Sequence, residues 1–144
     1  MTFQLKEIKK YKKILKEKEE VLLASIFKKK ETQIKELEEK KLEYLSVESK
    51  IRDLYNKNFN ISLVRLYNDN LELINTSIEE IKKEIKKTDK KIEEQKIVIQ
   101  KSTIEFKKFE KLEENYLKEK AEEIKYNEKK ELDEIVSIRE FHKE

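Results

Sequence analysis

The chain has 144 residues, 47% of them charged and 36% hydrophobic, and a net charge of +3. It contains no Gly, no Pro and no Cys, where average usage would give about ten Gly and about seven Pro. This excludes a turn-rich compact fold, a disulfide framework and a thiolate metal site, and leaves one elongated, Lys/Glu-rich helical domain.

The longest apolar run, residues 21–27, is seven residues long and includes Ser25. It is too short to cross a bilayer, and the opening residues show no signal-peptide core. A cytosolic protein without direct membrane insertion is expected. The charge is unevenly spread: residues 1–30 carry ten Lys and four Glu, whereas residues 92–144 carry twelve Lys/Arg and fifteen Asp/Glu. Opposite signs at the two ends are what two segments lying side by side would show.

In chain order, the first periodic segment has Ile8, Leu15 and Leu22 seven apart, with Tyr11, Lys18, Ser25 and Thr32 as companions. A second phase follows through Ile34, Leu37, Tyr44, Ile51 and Tyr55. The slip between Lys29 and Ile34 reads as a stutter in a heptad repeat. Next comes "NKNFN" at 56–60, a turn signal because Asn tolerates left-handed backbone. Asn60 or Ser62 suits the N-cap of the next helix.

The second segment is the more regular. Val64, Leu71, Ile78, Ile85, Ile92, Ile99 and Phe106 recur every seven residues. Their companions are Tyr67, Ile74, Ile81, Thr88, Gln95, Ser102, Phe109 and Tyr116. A seam sustained over so many heptads predicts a coiled coil. The expected fold is all-α: one antiparallel coiled-coil hairpin over 1–144, with a helix at 3–55, a turn at 56–61 and a longer helix at 62–140.

Folding the chain about residues 59–60 pairs Tyr55 with Val64, Ile51 with Tyr67, Tyr44 with Ile74, Leu37 with Ile81 and Ile34 with Ile85. Beyond the slip, Leu22 meets Ile99, Leu15 meets Phe106 and Tyr11 meets Phe109. Polar seam residues also match, Thr32 with Thr88, Ser25 with Gln95 and Lys18 with Ser102, as layers that penalise slipped registers. Phe3 falls near Leu117, so helix two overhangs. The overhang keeps an apolar stripe (Leu117, Ala121, Ile124, Ile135, Ile138) that another protein or a second copy would cover.

Catalytic chemistry finds no foothold. The single His, His142, has no Cys or second His to complete a metal site or dyad. Without Gly there is no phosphate-binding loop. Carboxylate pairs such as Glu113–Glu114 and Glu122–Glu123 lack the burial that would split their pKa values. The Lys clusters at 28–30, 82–83, 86–87 and 90–91 are interrupted by Glu and Asp, which argues for a solvated helix surface rather than a nucleic-acid face. No catalytic, cofactor or metal residue is assigned, and no nucleic-acid partner is expected.

Four segments carry a family resemblance: "FQLKEIKKYKK" near the start, "ISLVRLYNDNLELI" in mid-chain, "KKFEKLEENYLKEK" at 107–120 and "EKKELDEIVSIREF" at 128–141. With two long helices and a similar length, they resemble the flagellar export protein FliJ family. Its members carry a basic Glu-Lys-Leu segment followed by an acidic Asp-Glu-Ile/Leu. Lys108, Glu110, Lys111, Leu112, Asp133, Glu134 and Ile135 fit that pattern. The resemblance implies a stalk like the paired terminal helices of the rotary ATP synthase gamma shaft, and injectisome stalk proteins are similar. It implies three partners: a hexameric export ATPase, a membrane export gate protein and export chaperones. The location would be the inner face of the cell membrane.

The resemblance and the unpartnered stripe together put the ATPase-ring end at Phe3, Ile8, Tyr11, Lys108, Lys111, Leu112, Leu117, Ile124, Asp133, Glu134, Ile135 and Ile138. Eleven acids against seven bases in 113–144 suit basic loops of a ring. The resemblance implies a gate surface near Tyr44, Glu48, Tyr67, Asn70 and Ile74. Two readings compete: a prefoldin-like holdase chaperone, which would need β-hairpins that 56–61 is too short to hold, and a purely structural coiled-coil adaptor.

Overall fold

The computed structural model describes residues 4–57 and 59–143. Two long helices pack against each other as an all-α hairpin, α1 over Lys6–Asn56 and α2 over Ile61–Lys143. Phe3, where helix one was expected to begin, lies outside the described residues, as does Asn58 of the turn.

The connection is short, and its chemistry is local. Asn60 caps α2: its Oδ1 accepts the backbone N–H of Ser62 at 3.1 Å and of Leu63 at 3.3 Å. Its carbonyl accepts the Val64 N–H at 3.0 Å. Two of the four N–H groups that a helix start leaves unpaired are thus satisfied. No described residue takes a positive φ, so the described part of the turn does not use the left-handed backbone that its Asn residues allow. Phe59 packs instead on Tyr55, with ring centroids 5.3 Å apart.

The chain divides into two compact units, one of residues 19–98 and one of residues 1–18 with 99–144. In the first, Val47, Ile74 and Ile78 form the core, with Leu37, Tyr44, Ile51, Tyr67 and Leu71 packed around them. Val64 and Ile92 are also buried. Each such side chain contributes about 1.5–3 kcal/mol. The expected pairings Leu37–Ile81, Tyr44–Ile74 and Ile51–Tyr67 involve residues that are all buried or half-buried.

On α2 every seam residue expected from Val64 to Tyr116 is buried or half-buried. On α1 the phase differs from the expectation. Between 19 and 54 the covered positions, Glu48 apart, alternate by four and three without a break: Glu19, Leu23, Ile26, Lys30, Gln33, Leu37, Lys40, Tyr44, Val47, Ile51 and Leu54. There is no stutter. Leu22, Ile34 and Tyr55 are exposed, as are Ser25 and Thr32. In the other unit the covered positions include Leu5, just before α1, and Lys9, Lys12, Leu15 and Lys16 on it, whereas Ile8 and Tyr11 are exposed.

The physical reason is that a helix without Gly or Pro keeps its phase. Once Leu37, Tyr44, Val47 and Ile51 face α2, positions whole heptads earlier face it too, whatever they are. Lys and Gln fill those places because their methylene stems lie along apolar surface while their heads reach solvent or a partner.

The polar layers change accordingly. Thr88 shares its single O–H between Gln33 Oε1 at 2.8 Å and the Glu84 carbonyl of its own helix at 3.0 Å, while Thr32 bonds back to the Lys28 carbonyl. Gln95 donates to the carbonyl of Glu19 at 3.0 Å and to its carboxylate at 2.6 Å, while Ser25 bonds back to the Leu22 carbonyl. Lys18, expected opposite Ser102, is exposed. Thr88 and Gln95 are the buried polar residues of the described chain, and both are satisfied, which removes the penalty of burying them. An ion pair between Lys30 and Asp89 at 2.6 Å lies beside these layers.

The phase difference is testable by truncation. Ile74→Ala is expected to cost about 2–5 kcal/mol, whereas Leu22→Ala, at an exposed site, should stay within about 0.5 kcal/mol of wild type. Urea denaturation of the two variants measures both. Equal losses would return Leu22 to the seam.

Candidate partner-binding surfaces

Three surfaces collect the residues that sequence reasoning assigned to partners. The first is the end of α2. From Ala121 to His142 every residue is exposed. Leu117, Ile124, Ile135 and Ile138 remain 48–57% accessible, a row of large apolar side chains that a soluble helix ordinarily covers. Asp133 and Glu134 line a shallow depression with Lys130, Ser137 and Ile138, so the acidic pair and one apolar residue of the row share a patch. Lys108, Lys111 and Leu112 are also exposed, earlier on the same helix. Sequence reasoning missed Leu132, Val136 and Phe141, which are exposed in the same stretch. They lie off the heptad row, and only an inventory of outward apolar residues would find them.

The second surface is the start of α1, in the same unit. Ile8 and Tyr11 face outward, and Phe3 of this set lies outside the described residues. Behind them a groove is lined by Lys6, Glu7, Lys9, Lys10, Lys13, Phe106 and Glu113. Lys9 pairs with Glu113 at 3.2 Å and Lys12 with Glu105 at 3.9 Å. The Lys16 ammonium sits 5.4 Å from the Phe106 ring centroid, within cation–π range. Tyr11, expected against Phe109, is thus displaced from the seam by Lys12, while Leu15, expected against Phe106, stays half-buried beside Lys16. The basic excess of this segment is partly engaged inside the hairpin, and Ile8 and Tyr11 stay exposed.

The third surface lies in the unit of residues 19–98. Tyr44 and Glu48 line a groove with Lys41, Leu45, Asn75 and Ile78. Tyr67 and Ile74, assigned to the same partner surface, belong to the packed cluster instead, with Ile74 only 4% exposed. A partner cannot reach Ile74 without opening the seam. Asn70 is exposed but does not line the groove. Leu45 and Asn75 were missed. Both flank the seam, where a search confined to heptad positions does not look.

No group of three His, Cys, Asp or Glu able to hold a metal occurs among the described residues. His142 is exposed and packs on Phe141, with ring centroids 6.0 Å apart. Among the described residues no helix is long and apolar enough to cross a membrane. What these surfaces can do is present apolar rows, flanked by charge, to other helices.

The family model described as "Flagellar FliJ protein" matches residues 1–144. No curated protein and no solved structure matches the chain.

Because Leu45 is 55% exposed, Leu45→Asp should leave the melting temperature within about 2 °C of wild type. A fall of about 5 °C or more in circular-dichroism melts would show that the groove wall is part of the core. With stability unchanged, any partner that Leu45→Asp loses is one that docks in this groove.

Proposed function

The chain belongs to the flagellar FliJ family, and on that premise we propose that it is the non-catalytic stalk of the flagellar export apparatus. In this reading it binds a hexameric export ATPase at the ring end, meets the membrane export gate protein through the Tyr44–Glu48 groove, and escorts export chaperones. ATP chemistry belongs to the ring. The stalk transmits the ring's state by presenting helix surfaces, and it works at the inner face of the cell membrane without inserting.

The observation that carries this proposal is the run of α2 from Ala121 to His142, exposed throughout and bearing its own apolar row. Such a helix can enter a ring without dismantling the hairpin, because none of its side chains is committed to the core. Seven acids and four lysines in 119–134 suit a basic ring lining, and charge of that kind raises the rate of encounter. Covering three residues of the row is worth several kcal/mol before ordering costs, at about 1.5–3 kcal/mol each.

Ile124→Asp combined with Ile135→Asp is expected to abolish ATPase binding and stimulation while leaving the melting curve unchanged. Pull-down, steady-state ATPase rates and circular dichroism measure these. A double variant that stimulates the ring like wild type would remove the tail from the binding surface.

A further inference from the structure

The apolar row of the α2 tail is not the continuation of the hairpin seam. Extended past Glu113 and Tyr116 by alternating four and three, the seam runs through Lys120, Glu123, Asn127, Lys130 and Glu134, all polar. The apolar residues occupy the neighbouring row, Leu117, Ala121, Ile124, Ile135 and Ile138, with Glu128 and Glu131 between them. That row lies about 100° round the helix from the one that faces α1, on its flank. α1 has a matching anomaly in the same unit: next to its covered row of Lys9, Lys12 and Lys16 it carries Ile8, Tyr11, Leu15 and Lys18, of which only Leu15 is half-buried.

We propose that these two rows cover each other between two copies of the chain. The α2 tail of one copy lies parallel along the start of α1 of the other, and the contact is made twice about a two-fold axis. A single offset sets Ile8 beside Ala121, Tyr11 beside Ile124, Leu15 beside Glu128 and Lys18 beside Glu131, with Ile14 flanking Leu132. Ile14 and Leu132 are themselves exposed, at 42% and 61%. Every layer falls on a heptad position of both helices, so one parallel coiled-coil packing satisfies all of them.

Charge selects the same partner. Residues 5–18 carry seven Lys and two Glu, and residues 119–134 carry seven acids and four Lys. Pairing α1 with α1 would set basic rows together, whereas α1 with the tail brings opposite signs together. The contact cannot form within one chain. There the start of α1 is held against residues 105–113 of α2, as the Lys9–Glu113 and Lys12–Glu105 pairs show, and the tail continues the same unbroken helix away from it. An isologous dimer makes the contact twice and closes on itself. It also covers Ile8, Tyr11 and Ile124, so the dimer and a ring-bound stalk would exclude each other. The inference itself does not depend on the ring.

The test uses the full chain alone. It has no native Cys, so Tyr11→Cys with Ile124→Cys should give a covalent dimer under mild oxidation, the two positions sharing a layer within bridging reach. In sedimentation equilibrium, Lys18→Glu and Glu131→Lys should each weaken the dimer by about fivefold or more by setting like charges together at both contacts. An equimolar mixture of the two variants should restore it, because one contact is then native and the other charge-reversed. A wild-type chain that stays monomeric at about 100 µM, a concentration that would populate even a weak dimer, would overturn the proposal. So would a disulfide closed within one chain, or a dimer indifferent to both substitutions. ATPase is absent throughout, so failure here is distinct from failure of the stalk reading.

Discussion

The seam between Leu37 and Leu54 on α1 and its partners on α2 depends on a covalent fact: neither helix has a residue that can break its phase. The absence of Gly and Pro removes both the cheap exits from helical geometry and the common causes of kinks. Val47, Ile74 and Ile78 are packed into one cluster, and an unbroken helix then carries that orientation along its length. The apolar residues that happen to fall in the row follow it, and those that do not are left outside. Exposed rows on this protein are therefore the remainder of a phase decided by the best-packed heptads.

That constraint also explains the polar interior. Where the phase delivers Gln33, Lys30 or Glu19 to the seam, the opposite helix answers with Thr88, Asp89 and Gln95, each with a bond of 3.0 Å or shorter across the interface. Satisfied layers of this kind add little net stability, since each replaces bonds to water. Their effect is on alternatives: a slip by one heptad would leave Gln95 buried without the Glu19 acceptors, at the cost of an unpaired buried amide.

The same physics decides what can be read from the sequence. α2 announces its seam because one heptad row, mostly apolar, is covered from Val64 to Tyr116, even though Leu66, Leu73, Ile97 and Ile104 lie exposed outside it. α1 does not. Its most apolar early row, Ile8, Leu15 and Leu22, competes with a row of Lys9, Lys12, Lys16 and Leu23, and hydrophobicity favours the wrong one. Reading the heptad backward from Tyr44 and Ile51 through Val47 would have reached the right row, because three residues in one phase outweigh isolated matches further off. The tail was legible for a related reason. Its apolar spacing is a helical row whether or not anything covers it, so the sequence locates the stripe without showing what it meets. The groove at Tyr44 and Glu48 was half legible: its walls Leu45 and Asn75 sit on a flank that no heptad search visits.

The lysines that took over the seam near the start of α1 give this part of the hairpin a different response to its surroundings. Unit 19–98 coheres through buried Val and Ile, which salt does not screen. Residues 5–18 hold to α2 through Lys9–Glu113, Lys12–Glu105 and Lys16 over Phe106, all partly solvent-exposed and subject to a Debye length of about 8 Å at physiological ionic strength. Rising salt therefore loosens the first turns of α1 before it affects the Val47–Ile74 cluster. Backbone amides there open as a local unit of low stability, and amide exchange in residues 5–18 quickens with ionic strength while that of residues 37–51 holds. The end of the hairpin bearing the outward rows is thus an electrostatic clasp, whose tightness is set by the ions around it rather than by the depth of a core.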